Sequence, residues 1–214
     1  KEDYKGVIRY SGFVEPMLDK NIYNLISETK EKLQFSRTEI VTNGDVLNIP
    51  RLKRLFKSGL STLLISVYDG PEDAKKFEKM CKDANLTKSQ YVIRHRYYSE
   101  KQDFGLTISN RAGMMENAKY KIGSLKEPSK DKCFYPSYTF FMDYNGDVLM
   151  CPHDWGKKII LGNMKESTFK EIWTSKKAIL IRRKLKSSDR NFSPCNVCDV
   201  KGDLIGKKHS ESWS

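Results

Sequence analysis

The sequence predicts an α/β protein: an incomplete parallel (βα) sheet of the partial-barrel kind, followed by a small α+β domain with a β-hairpin and one helix. Three observations predict it. Strand-like and helix-like segments alternate with short connections from Gly6 to about Gly113, the pattern of βαβ units and a parallel sheet. That alternation stops after Gly113. Beyond it, an Asn145-Gly146 pair gives a strong hairpin signal, and four cysteines fall in the spacing C-x17-C-x43-C-x2-C. The boundaries expected are 1–114 for the partial barrel, 115–132 for a bridging segment, 133–206 for the cysteine-bearing domain and 207–214 for a polar tail.

Taken in order, "GVIRYSG" reads as a strand. "DKNIYNLISETKEKL" follows as a helix, with Ile22, Leu25, Ile26 and Leu33 at helical spacing. "RTEIVTNG" is the next strand. In "IPRLKRLFKSG", Pro50 lies in the first turn, Leu52, Leu55 and Phe56 share one face, and Gly59 stops the helix. "STLLISVYDG" and "PEDAKKFEKMCKDA" repeat the strand and Pro-initiated helix. "QYVIRHRYYS" gives a fourth strand and "FGLTISNRAG" a fifth. "MMENAKYKIGSLKEPSKDK" lacks periodicity. "YTFFMDYNGDVLM" is the hairpin and "KKIILGNM" a short strand. "STFKEIWTSKKAILIRRKL" reads as one helix opened by a Thr168/Glu171 capping box, with Phe169, Ile172, Trp173, Ile179 and Leu180 on its apolar side. Beyond Gly206 the tail is expected to be disordered.

Composition excludes some classes. No apolar run approaches the roughly 20 residues that cross a bilayer, so no membrane partner is expected. The net charge of +12, from 39 Lys+Arg against 27 Asp+Glu, is spread through "RLKRLFKSG", "KKFEKMCKD" and "IRRKLKSSDR". There it fills the faces opposite the apolar residues, so solvated helix surfaces are favoured over a nucleic-acid groove. Nothing marks the chain as secreted, and a cytoplasmic setting with reduced thiols is expected. Cys81 stands alone beside Phe77 and Met80 and reads as a small buried hydrophobe.

The other four cysteines carry the chemistry. A hairpin brings Cys133 and Cys151 to one end, and the C-x-x-C turn presents Cys195 and Cys198 to one centre. Four thiolates without a histidine at ligand spacing mean tetrahedral zinc or an iron–sulfur cluster. His153, two residues from Cys151, is a fifth candidate ligand, with hydrogen bonding beside the site the favoured role. Spacing alone leaves zinc and iron–sulfur open.

The run Cys133-x12-Gly146-x4-Cys151, then "GNM…STFKEIWTS" and Pro194-Cys195-Asn196-Val197-Cys198, resembles the C-terminal auxiliary-cluster domain of radical S-adenosylmethionine enzymes. That domain is called SPASM, or twitch in its shortened form; with four cysteines the twitch form fits better. The resemblance implies one 4Fe-4S cluster held by Cys133, Cys151, Cys195 and Cys198, with every iron corner filled by protein. Such a cluster carries electrons or holds the fold together.

The first half is similar to the radical S-adenosylmethionine barrel. Gly12-Phe13-Val14-Glu15-Pro16 resembles the "GGEP" stretch that contacts the amino group of S-adenosylmethionine, with Phe and Val in its middle. Thr42-Asn43-Gly44 and Ser66-Val67-Tyr68-Asp69 resemble the rim motifs after later strands, and Asn110-Arg111-Ala112-Gly113 is also similar to this group. The resemblance implies that Gly12, Glu15, Pro16 and Asn43 contact the cofactor, and that Ser66 and Arg111 lie near cofactor or substrate.

One departure stands out. The family's C-x-x-x-C-x-x-C loop, whose thiolates hold the cluster that binds S-adenosylmethionine, does not occur in the 214 residues. The expectation is therefore that Lys1 is not the biological start. The full-length parent would carry this second 4Fe-4S cluster, cleave S-adenosylmethionine and abstract hydrogen through a 5′-deoxyadenosyl radical, and the chain alone would be inactive. A flavodoxin or ferredoxin is the implied reductant. The implied substrate is a sugar-like small molecule or a peptide, with Arg94, His95, Tyr97 and Tyr98 near it. At most half of those can face one side of a strand. The competing reading is a non-catalytic iron–sulfur or four-cysteine zinc module binding a partner peptide or nucleic acid, although zinc ribbons pair two C-x-x-C knuckles and one is present.

Overall fold

The structure, a computed structural model, describes residues 4–97, 109–117 and 121–212. The chain divides into two compact units, Lys1–Thr107 and Ile108–Ser214.

In the first unit, strands β1 (Val7–Tyr10), β2 (Arg37–Thr42), β3 (Thr62–Val67) and β4 (Tyr91–His95) form a parallel sheet in that order. Helices α1 (Ile22–Lys32), α2 (Ile49–Lys57) and α3 (Pro71–Asp83) make the crossovers. Each helix starts and stops where the sequence directs. Asn48 accepts the Arg51 N–H at 2.9 Å to cap α2, and Gly59, at φ +99°, takes the left-handed conformation that ends it.

Strand parity separates the two faces of the sheet. Thr38, Ile40, Leu63, Ile65, Val67 and Tyr91 are buried on one face with Ile22, Ile26, Leu52, Leu55, Phe77 and Cys81 of the helices. Each fully buried aliphatic side chain contributes roughly 1.5–3 kcal/mol. Cys81 is an inert member of this core: burial pushes its thiol up to about 11. The other face mixes charged and polar residues with the apolar Val41, Leu64 and Val92. In-register pairs place Arg9 beside Glu39, Glu39 beside Thr62 and Ser66 beside Arg94. The Arg9 guanidinium donates to the Glu39 carboxylate at 2.6 and 2.9 Å.

The expected fifth strand is only partly within the described residues, since 104–108 lie outside them. Its remainder, Ser109 to Gly113, is a turn instead of a strand. Arg111, Ala112 and Gly113 take φ of +49°, +53° and +86° in succession, a left-handed run that no strand accommodates.

The second unit holds an antiparallel sheet in the order β5 (Phe141–Met142), β6 (Asp147–Leu149), β7 (Ile160–Asn163). The β5–β6 turn is shaped by Asp143, whose Oδ1 accepts the N–H groups of Asn145 at 2.8 Å and Asp147 at 3.1 Å. A short helix, α4 (Tyr135–Tyr138), lies between Cys133 and this hairpin; the sequence reading had no element there.

Two further expectations are corrected. The single helix after Thr168 is two helices, α5 (Phe169–Trp173) and α6 (Lys176–Lys186). The Thr168/Glu171 capping box forms, but Ser175 takes an extended ψ of 148° and accepts the Ala178 N–H at 3.2 Å, capping a new helix. The break shifts the helical phase. Ala178, Ile181, Arg182 and Leu185 therefore turn inward, and Leu180, expected on the apolar side, is 56% exposed. The tail expected to be disordered forms α7 (Lys207–Ser212). Its Ser210 is buried, and Gly206 lies so close to Tyr138 that a Cβ would meet the ring at 2.2 Å. Among the described residues no helix is long and apolar enough to cross a membrane.

Candidate metal centre

Cys133, Cys151, Cys195 and Cys198 line one cavity of the second unit, and none is in a disulfide. Local structure explains how four distant positions converge. The Cys133 N–H donates to Leu185 O of α6 at 3.0 Å, and the Phe134 N–H to Gly202 O at 2.8 Å. Cys151 follows β6. Cys195 and Cys198 flank a single helical turn, Cys195–Val197. Gly202 abuts the first cysteine: a Cβ there would stand 2.2 Å from the Cys133 sulfur and 3.0 Å from its Cα. Only glycine leaves that space open.

The electrostatics fit a bound cationic centre. Burial first, then the neighbouring sulfurs, pushes the Cys151 thiol well above its ordinary value and Cys195 up to about 12. Cys133 and Cys198 are raised as well, by burial. Four such groups stay protonated by themselves; a metal centre exchanges the protons for coordination. The backbone N–H of His153 donates to Cys151 Sγ at 3.4 Å, the kind of hydrogen bond that tunes a metal-bound thiolate.

Four cysteine sulfurs around a common cavity are a donor set that suits either tetrahedral zinc or an iron–sulfur cluster.

The expected role of His153 takes a specific form. Its backbone touches the sulfur, while its ring is buried, pushed down to about 4 by burial and by Arg111. The ring sits edge-on to Tyr135 at 4.9 Å, with Nδ1 3.2 Å from Ser109 Oγ. Arg111 lies in this second unit, its guanidinium 4.9 Å over the Trp155 ring.

Asn110, just before it, is a residue whose own role sequence reasoning missed. It is fully buried. Its side-chain amide donates to Val197 O at 2.6 Å and Gly123 O at 2.9 Å, and its backbone N–H donates to the Asp199 carboxylate at 2.9 and 3.0 Å. It clamps the C-x-x-C turn from outside. Its only signal was its place in the "NRAG" stretch.

In the first unit, the structure joins several of the predicted rim residues at the carboxyl end of the sheet. Glu15 accepts from Met17 N–H at 2.9 Å, Thr42 Oγ1 at 2.7 Å and Asn43 N–H at 2.9 Å. This carboxylate therefore ties the Gly12–Pro16 loop to the end of β2. Gly12 and Gly44 take φ of +118° and +87°. Ser66 is buried on β3, in register with Arg94 on the face away from the helices. His95 pairs with Val67 on the opposite face and bonds the Tyr97 hydroxyl at 2.6 Å. Arg94 alone of that group shares the face of Ser66; Tyr98 lies outside the described residues.

Residues 133–199 match the SPASM family, an iron–sulfur cluster-binding domain. Over 200 residues the chain is 28% identical to the S-adenosyl-L-methionine-dependent 2-deoxy-scyllo-inosamine dehydrogenase of Niallia circulans, covering 92% of this chain and 74% of that one. A crystal structure of BtrN in complex with AdoMet and 2-DOIA superposes with a TM-score of 0.76 at 26% identity, over 92% of this chain and 74% of the other. The fold, at 13% identity, is also that of anSMEcpe with bound AdoMet, with a TM-score of 0.52 over 97% and 78% of the two chains.

Proposed function

We propose, for a chain that is part of a radical S-adenosylmethionine enzyme with a SPASM auxiliary-cluster domain, that Cys133, Cys151, Cys195 and Cys198 ligate one 4Fe-4S cluster. We further infer that the enzyme oxidises a hydroxyl group of a small polyol or amino-polyol. The observation that carries the first reading is the convergence of four free thiols on one cavity, within residues 133–199 that match an iron–sulfur cluster-binding domain. The second rests on the relative's dehydrogenase activity toward 2-deoxy-scyllo-inosamine.

When bound, the cluster supplies a one-electron acceptor, and S-adenosylmethionine supplies the hydrogen-abstracting radical. Oxidation of a secondary alcohol to a ketone removes one hydrogen atom, one proton and one electron, so the reaction needs both. The chain's own residues supply the surroundings. The His153 backbone N–H donates to the Cys151 sulfur and favours its charged form. Met150, Leu185 and Phe192 pack around the cysteines and exclude water. On the first unit, Glu15 holds its loop against Asn43, and Ser66 and Arg94 offer polar groups to a hydroxylated ligand.

Metal analysis tests the cluster. Protein purified without oxygen is expected to be brown and to hold about four irons and four sulfides per chain; a colourless protein with one zinc overturns the reading. The substrate reading is tested with the complete enzyme, reductant and 2-deoxy-scyllo-inosamine. Ketone formed in step with 5′-deoxyadenosine supports it. Peptide oxidation without polyol oxidation would replace it.

A further inference from the structure

Arg190 lies in the basic run "IRRKLKSSDR", whose charges the sequence assigns to solvated helix faces. The structure overturns that for two of them: Arg182 and Arg190 are each 2% exposed. Arg182 has a local reason, since its guanidinium donates to Trp173 O at 2.6 Å and lies 4.7 Å over the Trp173 ring. Arg190 is different. It lines the cysteine cavity, and its fork donates to three backbone carbonyls: Asp131 O at 3.0 Å, Lys132 O at 3.1 Å and Val200 O at 3.1 Å. Among the described residues no carboxylate pairs with it. The adjacent Asp189 is taken by Lys184 at 3.2 Å and by the Asn191 N–H at 3.0 Å.

A buried guanidinium facing only neutral carbonyls is costly unless a negative charge stands nearby. The cavity it lines holds the four sulfurs and one carboxylate, Asp154, whose oxygens accept the N–H groups of Lys158 at 3.0 Å and Ile159 at 2.8 Å. We propose that Arg190 is the built-in counter-cation of the auxiliary cluster, and that its fixed charge raises the cluster's reduction potential.

The inference rests on the four-cysteine cluster reading above. Four thiolates make the assembly anionic, and reduction adds one more negative charge, so a fixed positive charge favours the reduced state. Little solvent enters this site to screen the interaction. The carbonyl contacts make the charge immobile. Two of them belong to Asp131 and Lys132, directly before Cys133, and the third to Val200, two residues after Cys198. The guanidinium therefore also fixes the segments that carry two of the ligands. For an enzyme whose auxiliary cluster takes an electron from substrate, a raised potential drives that transfer forward.

The test compares wild type, Arg190→Lys and Arg190→Gln as anaerobically reconstituted full chains. Iron content is measured, and the midpoint is read by redox titration of the reduced cluster's paramagnetic signal. The expected result is a lower midpoint in Arg190→Gln than in wild type, with Arg190→Lys closer to wild type. Loss of the cluster in Arg190→Gln but not in Arg190→Lys also supports the proposal, because charge is then what the site requires. A cluster-loaded Arg190→Gln at the wild-type midpoint overturns it. So does loss of the cluster in both variants, which would make the fork's hydrogen bonds, not its charge, the requirement. Wild type that binds no iron fails at the first measurement, and sinks the cluster reading and this proposal together.

Discussion

The side-chain amide of Asn110 donates to the carbonyl of Val197 at 2.6 Å, across 87 residues of sequence. Val197 sits between the two cysteines of the C-x-x-C turn, so this bond fixes the backbone that aims both sulfurs. The Leu125 N–H donates to the same carbonyl at 3.1 Å, and Gly113 packs so tightly on Val197 that a Cβ would meet its methyl at 2.7 Å. The knuckle is held from three sides by residues upstream of the first cysteine.

Asn110→Ala removes the donors to Val197 O and Gly123 O inside a fully buried site. The expected loss is roughly 2–3 kcal/mol of stability, with reduced iron retention. Urea denaturation and iron analysis check it. An unchanged midpoint would mean that the knuckle holds itself.

Gly202→Ala forces a methyl group onto the Cys133 sulfur, whereas a Cβ at Gly123 meets nothing within 4 Å. The first is expected to cost roughly 1–3 kcal/mol by overpacking and to lower iron per chain. Gly123→Ala is expected to leave iron content unchanged. Equal iron in both variants would contradict the close packing at Cys133.

Cys195→Ser is expected to lower iron content and melting temperature together, because cluster binding is coupled to folding. Cys81→Ser, inside the helix–sheet core of the first unit, is expected to lower stability while iron per chain stays at the wild-type level. Iron loss from both would show that the metal measurement follows unfolding and not ligation.

Glu15→Gln keeps an acceptor oxygen but loses the charge that holds Thr42 Oγ1 and the Asn43 and Met17 N–H groups. Hydrogen bonds to a charged acceptor are worth roughly 1.5–3 kcal/mol. The expected signature is faster amide exchange at Asn43 together with weaker S-adenosylmethionine binding by the complete enzyme. Unaltered exchange at Asn43 would remove Glu15 as the strut between its loop and β2.

Burial pushes the Asp143 carboxyl up, but the Lys157 ammonium and the N–H groups of Asn145 and Asp147 outweigh it, and the net shift is below the ordinary 3.8. A carboxyl lowered in the folded state stabilises fully above its unfolded value. That contribution is lost as pH falls below about 3.8 and through the folded value. The melting-temperature gap between wild type and Asp143→Asn is therefore expected to be largest near neutrality and to close in acid. A gap that widens in acid would reverse the sign of the pairing.

Much of this fold was written in local pattern. Period-two and period-3.6 apolar spacing, with Pro50, Gly59 and Pro71 as punctuation, sufficed for the four parallel strands and their three helices. Asn145-Gly146 announced the hairpin, and Cys133, Cys151, Cys195 and Cys198 announced a shared site by kind and spacing. These are properties of contiguous residues, and short-range geometry determines them. Where the local reading failed, a different cause operated. A continuous helix was expected through Thr174 and Ser175 because the apolar pattern runs on, yet the Ser175 hydroxyl offers Ala178 a cap that splits it.

Tertiary structure alone decided which charges go inside. Arg182 and Arg190 look like any other basic residues of their run, and whether a guanidinium is buried depends on carbonyls and rings brought by distant segments. The same holds for Asn110, whose partners are Gly123, Val197 and Asp199, and for Gly202, needed only because Cys133 lies against it. The sequence specified the four thiols that the fold brings to one cavity. The buried guanidinium, the clamp and the open space around them exist only once the chain has closed, because each is a relation between residues far apart in sequence and no local pattern encodes it.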